Sequence, residues 1–518
     1  MNVLMDKKNK LLIFMLLIVL LVSVDLRFIF LEADPFPYSV FGATWVDEGV
    51  YAHNARNYAL FGEWKLENDS WNPIYISPTY TYLELLSFKL FGVNTFAMRL
   101  VPALLGILSI VIAGAIYMAR KLEEGILFSI LLLTNSMHIV YSRIATVESI
   151  LLALMVVIIA LMVFDKKYSW FLAGLLTPVL FFSKIISAFF AASIPVTLLT
   201  YAFFYKSKDH IKKLGIFASG AIISLIPWLF WLIPNLSNWK FMNFEIVSNR
   251  IGISFIELGV MGLNFAQFSL LNPLLILISA ISLSYLCISL FRKGKIEFID
   301  LLLFVSILLF LGQILITDYD LRRFFLIIPI LIIISARFIL KIEGFDVKFN
   351  GKNILIDNRF IVIIFLIIYV IINLLQLFPF YTNIIKDKDS AYTIMENSKE
   401  IGKYIPEYAK VYGNTALPLS IENKIKPYHG NYLDHLHNTE ENILPILESG
   451  KINYAVLKEN IFNEADLKEY DRDLNESKVY KYLNDNFEVI KEILGKHSRT
   501  SEPDRKYVYR RIISSGFL

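Results

Sequence analysis

The runs LLIFMLLIVLLVSV at residues 11–24 and LLALMVVIIALMVF at residues 151–164 decide the fold class. Neither contains a charged residue, and each approaches the roughly 20 apolar residues that cross a bilayer as helix. Comparable runs recur as far as residue 380, so the chain reads as a polytopic α-helical membrane protein. The composition of the 518 residues agrees. Some 56% are hydrophobic and only 19% charged, against about 25% charged in an ordinary soluble chain, and the mean hydropathy is +0.56. A formal charge of +4 is too small to argue for nucleic acid, and the single cysteine, Cys287, excludes an internal disulfide framework or a cysteine-built zinc site.

The first run follows Lys7, Lys8 and Lys10 but has no small-residue cleavage site before the Asp34-Pro35-Phe36-Pro37 turn, so it reads as a retained span. Eleven to thirteen spans are expected. The eleven clearest lie near residues 11–31, 97–118, 126–142, 146–164, 169–183, 187–205, 214–233, 271–291, 300–316, 324–341 and 360–380. Lysine and arginine concentrate in one set of loops: the N-terminal lysines, Arg120 with Lys121, Lys166 with Lys167, residues 206–213, and Arg292 with Lys293 and Lys295. This bias places that set, and the N-terminus, in the cytoplasm of a multi-pass cell-membrane protein. The loops at residues 32–96 and 234–270 then face outward.

Residues 1–380 form the expected transmembrane domain, and residues 381–518 a separate soluble one. The latter stretch holds 42 charged residues in 138, above the soluble average of about 25%. With an odd number of spans it lies outside the cell. Short apolar segments at residues 410–413 and 452–457, between helical stretches near 395–404, 440–447 and 465–483, predict a small extracytoplasmic α/β domain.

The stretch WVDEGVYAHNARNYALFGEW, residues 45–64, carries the densest chemistry. Asp47 suits a helix start and Gly62 a stop, which predicts a short helix over residues 48–61. On it Asp47, Tyr51, Asn54 and Tyr58 share a face. Asp47 and Glu48 read equally well as acids complementing the helix dipole or as a functional pair. Polar groups recur where other spans end on the same side: Arg143 and Glu148 in YSRIATVE, Lys184 in FSK, and Arg322 with Arg323 in DYDLRRF. Singly, each reads as an interfacial group. Together with Arg56 of the first loop they suit an anionic phosphate ligand, since guanidinium groups bind phosphate oxygens bidentately. Tyr51 is a candidate sugar or acceptor contact, and Trp45 and Tyr80, with the other aromatic residues of this loop, read equally well as sugar or acceptor contacts and as anchors at the headgroups. His138 reads as a satisfied interior histidine rather than a catalytic one.

The ordered series DE with YAxxAR (Asp47, Glu48, Tyr51, Arg56), SPTYTYLELLSFKLFG, MRLVPALLGILSIV, SR with an acid five residues later, SK, and RRFFLIIP resembles the membrane glycosyltransferases of the GT-C fold. Within that fold it is most similar to the branch of protein O-mannosyltransferases and lipid A aminoarabinose transferases, over residues 10–340. The resemblance implies a glycosyltransferase that moves a sugar from a polyprenyl phosphate, of the dolichyl type, to a hydroxyl on a protein, glycan or lipid acceptor, inverting the anomeric centre. Asp47 is then the general base with Glu48 beside it, Glu148 is the acid after the SR motif, and Arg143, Lys184, Arg322 and Arg323 hold the donor phosphate. Such roles are chemically coherent, because a hydroxyl needs a base and a departing phosphate needs cations.

The sequence departs from the aminoarabinose branch at Ile76-Ser77-Pro78-Thr79, where that branch has Glu-Lys before Pro-Pro, and at Val50, where it has arginine. Aminoarabinose and lipid A are therefore not expected substrates. No organic cofactor is implied. The candidate ligands for a divalent metal are Asp47, Glu48, Glu148 or His53, at a spacing that diagnoses nothing. The competing readings are a lipid-linked sugar flippase or transporter and an oligosaccharyltransferase-like enzyme. Against the first, the charges cluster at span ends and no internal repeat is found; against the second, no WWDYG signature is present.

Overall fold

The computed structural model describes residues 7–33, 46–67, 69, 71–245, 255–291, 296–314, 321–342, 345–349, 352–386, 393–413, 415–429, 444–445, 447–449, 451–457, 478–496 and 503–512. The chain divides into two compact units. One comprises residues 1–29, 102–143 and 147–379; the other comprises residues 30–101, 144–146 and 380–518.

The opening helices are α1 (Lys7–Phe28), α2 (Val46–Phe61), α3 (Pro78–Phe91), α4 (Thr95–Met118) and α5 (Leu122–Thr134). They are followed by α6 (Ser136–Tyr141), α7 (Glu148–Phe164), α8 (Lys167–Ser183), α9 (Ala188–Phe204) and α10 (Lys208–Lys240). Among the described residues six helical segments are long and apolar enough to cross a membrane: Leu11–Phe28, Thr95–Met118, Ile185–Phe204, Lys208–Phe244, Leu321–Lys341 and Phe360–Thr382. A bent pair, Met261–Leu271 with Pro273–Ser289 at 103°, makes a seventh. Several of the other expected spans are present as shorter helices, for a local reason. The run at 126–142 is interrupted by Asn135, whose extended backbone stops α5 while its side chain accepts the His138 N–H at 3.0 Å and starts α6. Likewise Lys184 is extended (φ −172°, ψ 134°) and ends α8 after 17 residues. The helix Phe255–Leu271 falls where a loop is expected.

In the larger unit α8 and α10 meet backbone to backbone. A Cβ on Gly174 would lie 2.1 Å from the Phe217 carbonyl oxygen, and one on Gly220 would lie 2.2 Å from that of Phe171. Small residues permit this approach, which suits helices that gain nothing from hydrophobic burial against lipid. Asn135 also donates to Asn272 (2.9 Å) and to the Tyr369 hydroxyl (3.0 Å), joining three distant segments at one buried polar point. Arg337 donates to Asp300 (2.6 Å), Glu124 (2.9 Å) and Glu297 (2.7 Å). Burial works to raise the Glu297 carboxyl, but Arg337 and Lys121 outweigh it and hold the group at about 2.

The second unit contains a five-stranded sheet in the order β4-β3-β5-β7-β6, where β3 is Lys410–Gly413, β4 Lys426–His429, β5 Tyr454–Leu457, β6 Phe487–Lys496 and β7 Pro503–Arg511. Strands β4, β3 and β5 run parallel; β7 is antiparallel to both β5 and β6. A separate antiparallel hairpin joins β1 (Phe345–Phe349) to β2 (Lys352–Ile356). Leu66 of the first loop belongs to the buried cluster of Tyr412, Tyr428, Ala455 and Tyr509 on one face of the five-stranded sheet. Helix α2 shares that unit. A Cβ on Gly49 would lie 2.2 Å from Pro418 Cα, so α2 packs where only glycine fits.

Candidate active site

Helix α2 starts at Val46, which puts Asp47 and Glu48 in its first turn. Asp47 is half-buried, whereas Glu48 is wholly buried. Both Glu48 oxygens face Arg99, with Nε 2.9 Å from Oε1 and Nη2 2.7 Å from Oε2, and Oε1 also accepts the Ala145 N–H at 2.8 Å. Arg99 Nη1 donates onward to the carbonyls of Leu31 (3.2 Å) and Ala33 (2.9 Å). This bidentate pair satisfies a carboxylate that could not be buried alone. Glu48, expected among the catalytic acids, is held in place by this ion pair. A cation there would have to displace a guanidinium. Among the described residues no group of three or more histidines, cysteines or acids is placed to hold a metal ion.

Arg56, expected to bind phosphate, is buried and points at the C-terminal part of its own unit. Its Nε donates to the Ser420 carbonyl (2.9 Å), and its Nη2 to those of Asn423 (2.8 Å) and Ile425 (2.9 Å). The first carbonyl is that of the last residue of a short helical turn, Pro418–Ser420, and the other two follow it, so Arg56 acts as a cap. Thr95 adds a second tie, donating its N–H and its hydroxyl to Glu422 Oε1 at 2.7 Å each.

Tyr51 and Tyr80 are both buried; Trp45 lies outside the described residues. Asn54 organises the loop after α2: it donates to the Trp64 carbonyl (2.6 Å) and accepts the Ile74 N–H (2.9 Å). Tyr58 stacks on Trp64 with ring centroids 4.3 Å apart. His53 bonds Asp69 at 2.5 Å. Glu84 of α3, with no role in the sequence reading, is wholly buried near Glu48 and Tyr80. Desolvation first and the Glu48 charge second push its carboxyl well above the usual range, with Tyr80 opposing.

In the larger unit the break after α8 and the start of α7 bring charges together. Lys184 Nζ lies 2.9 Å from Glu148 Oε1, and Arg323 Nη1 lies 3.9 Å from the same oxygen. Arg322 acts electrostatically on this carboxylate as well. Glu148 and Lys184 are buried, and Arg322 and Arg323 are partly so. Hence four of the expected residues form one cluster, with three cations around one acid. Arg143 goes elsewhere: its Nη1 donates to the carbonyls of Leu26 (2.9 Å) and Arg27 (3.1 Å), closing the last turn of α1. His138 has its expected interior role, with Nδ1 2.6 Å from Arg27 Nη2.

Arg99 and Glu84 were not singled out by sequence reasoning. A signal for Arg99 exists: it is the sole charge at the head of an apolar stretch running to Met118, a position that requires an anion. Glu84 is equally isolated in YLELL, and nothing in the sequence reveals which acid it approaches.

Residues 73–246 match the family model of dolichyl-phosphate-mannose-protein mannosyltransferase. This stretch includes Glu84, Arg99, Glu148 and Lys184. No curated protein sequence matches the chain. Among solved structures, ArnT from Cupriavidus metallidurans bound to undecaprenyl phosphate aligns with a TM-score of 0.61 at 14% identity, covering 97% of this chain and 98% of ArnT. The apo state of ArnT aligns at 0.59 and 15% identity, with 97% of each chain covered. An Archaeoglobus fulgidus oligosaccharyltransferase in complex with Zn and sulfate reaches 0.50 at 11% identity, covering 94% of this chain and 72% of its own. At these identities the likeness is one of fold. Taken with the apolar helices, it makes this chain a multi-pass membrane protein with the fold of ArnT.

Proposed function

We propose that the protein transfers a sugar from a polyprenyl-phosphate carrier to a hydroxyl acceptor, with Lys184, Arg322 and Arg323 receiving the donor phosphate. The observation that carries this reading is the cluster itself. Three cations gather on one buried carboxylate, where a chain of this composition has few charges to place. Cations are what the reaction needs there. When the bond from the sugar C1 to the phosphate oxygen breaks, that oxygen keeps the electron pair, and fixed positive charge stabilises it. The family match and the ArnT complex with undecaprenyl phosphate support a donor of this class.

Asp47 is the proposed base that takes the acceptor proton, attack from the opposite face giving inversion. Unlike Glu48 it is only half-buried. The lysine and arginine bias of the loops supports a cytoplasmic N-terminus and an extracytoplasmic C-terminal domain. The test is turnover of radiolabelled dolichyl- and undecaprenyl-phosphate sugars by the purified protein in lipid, for wild type and Asp47→Asn. Undiminished transfer by the variant removes Asp47 from the mechanism. No release of sugar from any such donor removes the function.

A further inference from the structure

We propose that the end of the larger unit away from Arg322 and Arg323 binds the headgroup of a zwitterionic phospholipid with a primary ammonium, of the phosphatidylethanolamine type. Arg322 and Arg323 stand at the head of the span Leu321–Lys341 and Lys341 at its other end, roughly 28 Å away at 1.5 Å per residue. The site is therefore separate from the donor-phosphate groups and stands whether or not they bind a donor.

A cavity of about 310 Å³ opens between three helices, Pro273–Phe291, Phe298–Ile314 and Ile328–Lys341. The first of these leads into Arg292, Lys293 and Lys295, a loop that the lysine and arginine bias assigns to the cytoplasm. Its lipid is then one of the inner leaflet. Both signs of charge line the cavity, and they are unequally used. Arg337 is 2% exposed and gives Nε, Nη1 and Nη2 to Asp300, Glu124 and Glu297, so its charge is satisfied. Lys341 and Glu297 are half-exposed. Lys341 Nζ donates to Asp300 Oδ2 at 3.1 Å, one bond for an ammonium with three N–H groups. Glu297 accepts from Arg337 (2.7 Å) and Lys121 (3.2 Å) through Oε2 alone. Its Oε1 has Lys341 at 3.9 Å, beyond hydrogen-bond reach. A donor and an acceptor with capacity to spare thus stand side by side on one cavity. Ser282, Tyr285 and Ser289 bring hydroxyls to the same wall at i, i+3 and i+7 of the first helix. None of the three makes a side-chain hydrogen bond among the described residues.

A phosphodiester with an aminoethyl arm supplies what each group lacks. Its phosphate oxygens accept from Lys341 Nζ and the hydroxyls, and its ammonium donates to Glu297 Oε1. A purely anionic headgroup would set its charge against Glu297 and Asp300, and a choline headgroup has no N–H to give. The acyl chains have a track beside the cavity. Leu277, Ile281, Tyr285 and Ile288 of the first helix are all exposed, at i, i+4, i+8 and i+11, a lipid-facing stripe running down from the headgroup site.

The experiment titrates full-length protein in detergent with phosphatidylethanolamine, phosphatidylcholine and phosphatidylglycerol of identical acyl chains, counting bound lipid by native mass spectrometry. Wild type is expected to bind one phosphatidylethanolamine about tenfold more tightly than either competitor, the worth of one hydrogen bond to a charged group. Glu297→Gln should abolish this preference by weakening phosphatidylethanolamine alone. Lys341→Gln, which removes the phosphate contact, should weaken phosphatidylethanolamine and phosphatidylcholine alike. No preference for phosphatidylethanolamine in wild type, or a preference that survives Glu297→Gln, overturns the proposal. If Glu297→Gln does not fold, Tyr285→Phe with Ser289→Ala takes its place, since it breaks no internal hydrogen bond; unchanged affinity for phosphatidylethanolamine in that variant also overturns the proposal.

Discussion

Lys184 Nζ sits 2.9 Å from Glu148 Oε1, joining the residue that ends α8 to the residue that begins α7. Removing the lysine by Lys184→Met leaves a buried carboxylate with Arg323 at 3.9 Å as its nearest ion-pair partner. Losing one partner of a buried pair costs about 3–5 kcal/mol, so the variant should denature earlier in detergent. Its kcat/KM should fall about 10²–10³-fold through loss of a charge that stabilises the leaving group. Adding Glu148→Gln should restore thermal stability but not turnover, as read by parallel melting and transfer assays.

Arg99→Leu should unfold the second unit or sharply reduce its stability, since Glu48 would stay buried without its bidentate partner. The expected cost is again about 3–5 kcal/mol. In a double-mutant cycle with Glu48→Leu, the pair of changes should cost less than Arg99→Leu alone. Additive losses would show that the two residues do not act as a unit.

Glu84 predicts a dependence of stability on pH. Its carboxyl titrates well above the unfolded value in the folded chain, so the folded state binds the proton more tightly. That contribution is fully present below the unfolded pKa of about 4.3 and declines as pH rises toward the folded value. Glu84→Gln removes the titration. The variant should gain on wild type as pH is raised from 4 to 8, measured as the difference in melting temperature; a constant difference across that range would falsify the assignment.

Gly174→Ala and Gly215→Ala make a matched pair. The first places a Cβ 2.1 Å from the Phe217 carbonyl oxygen and should force α8 and α10 apart, costing about 1–3 kcal/mol. The second adds a methyl group to α10 where nothing lies within 4 Å, and should stabilise by about 0.5–1 kcal/mol. Thermal melts of the two variants should move in opposite directions.

Much of this fold is legible in the residues because apolar length and charge placement dominate in a membrane. The break at Asn135 is less so, since only the bonded partners of that side chain show that it ends one helix and begins another. In the soluble part, β3 and β5 are readable as short apolar segments. Strands β6 (FEVIKEILGK) and β7 (PDRKYVYRR) are not, because their charged positions suit a helix or a loop until the antiparallel ladder between them is seen. At the candidate site, the grouping of Glu148, Lys184, Arg322 and Arg323 follows from where the spans end. The diversion of Arg56 to three backbone carbonyls and of Arg143 to the end of α1 does not, because a carbonyl acceptor leaves no mark on the sequence.

The attachment of Arg56 has a consequence for biosynthesis. Its carbonyl partners lie 364, 367 and 369 residues further along the chain. At ribosomal speeds of about 5–20 residues per second, α2 waits roughly 20–70 s after its own synthesis before those partners exist. During that interval the Arg56 guanidinium lacks these three carbonyls, and a chain terminated before residue 420 never supplies them. The helix that carries Asp47 is thus anchored through Arg56 only once the chain has been made through residue 425, which ties assembly of the proposed catalytic acid to synthesis of the C-terminal domain.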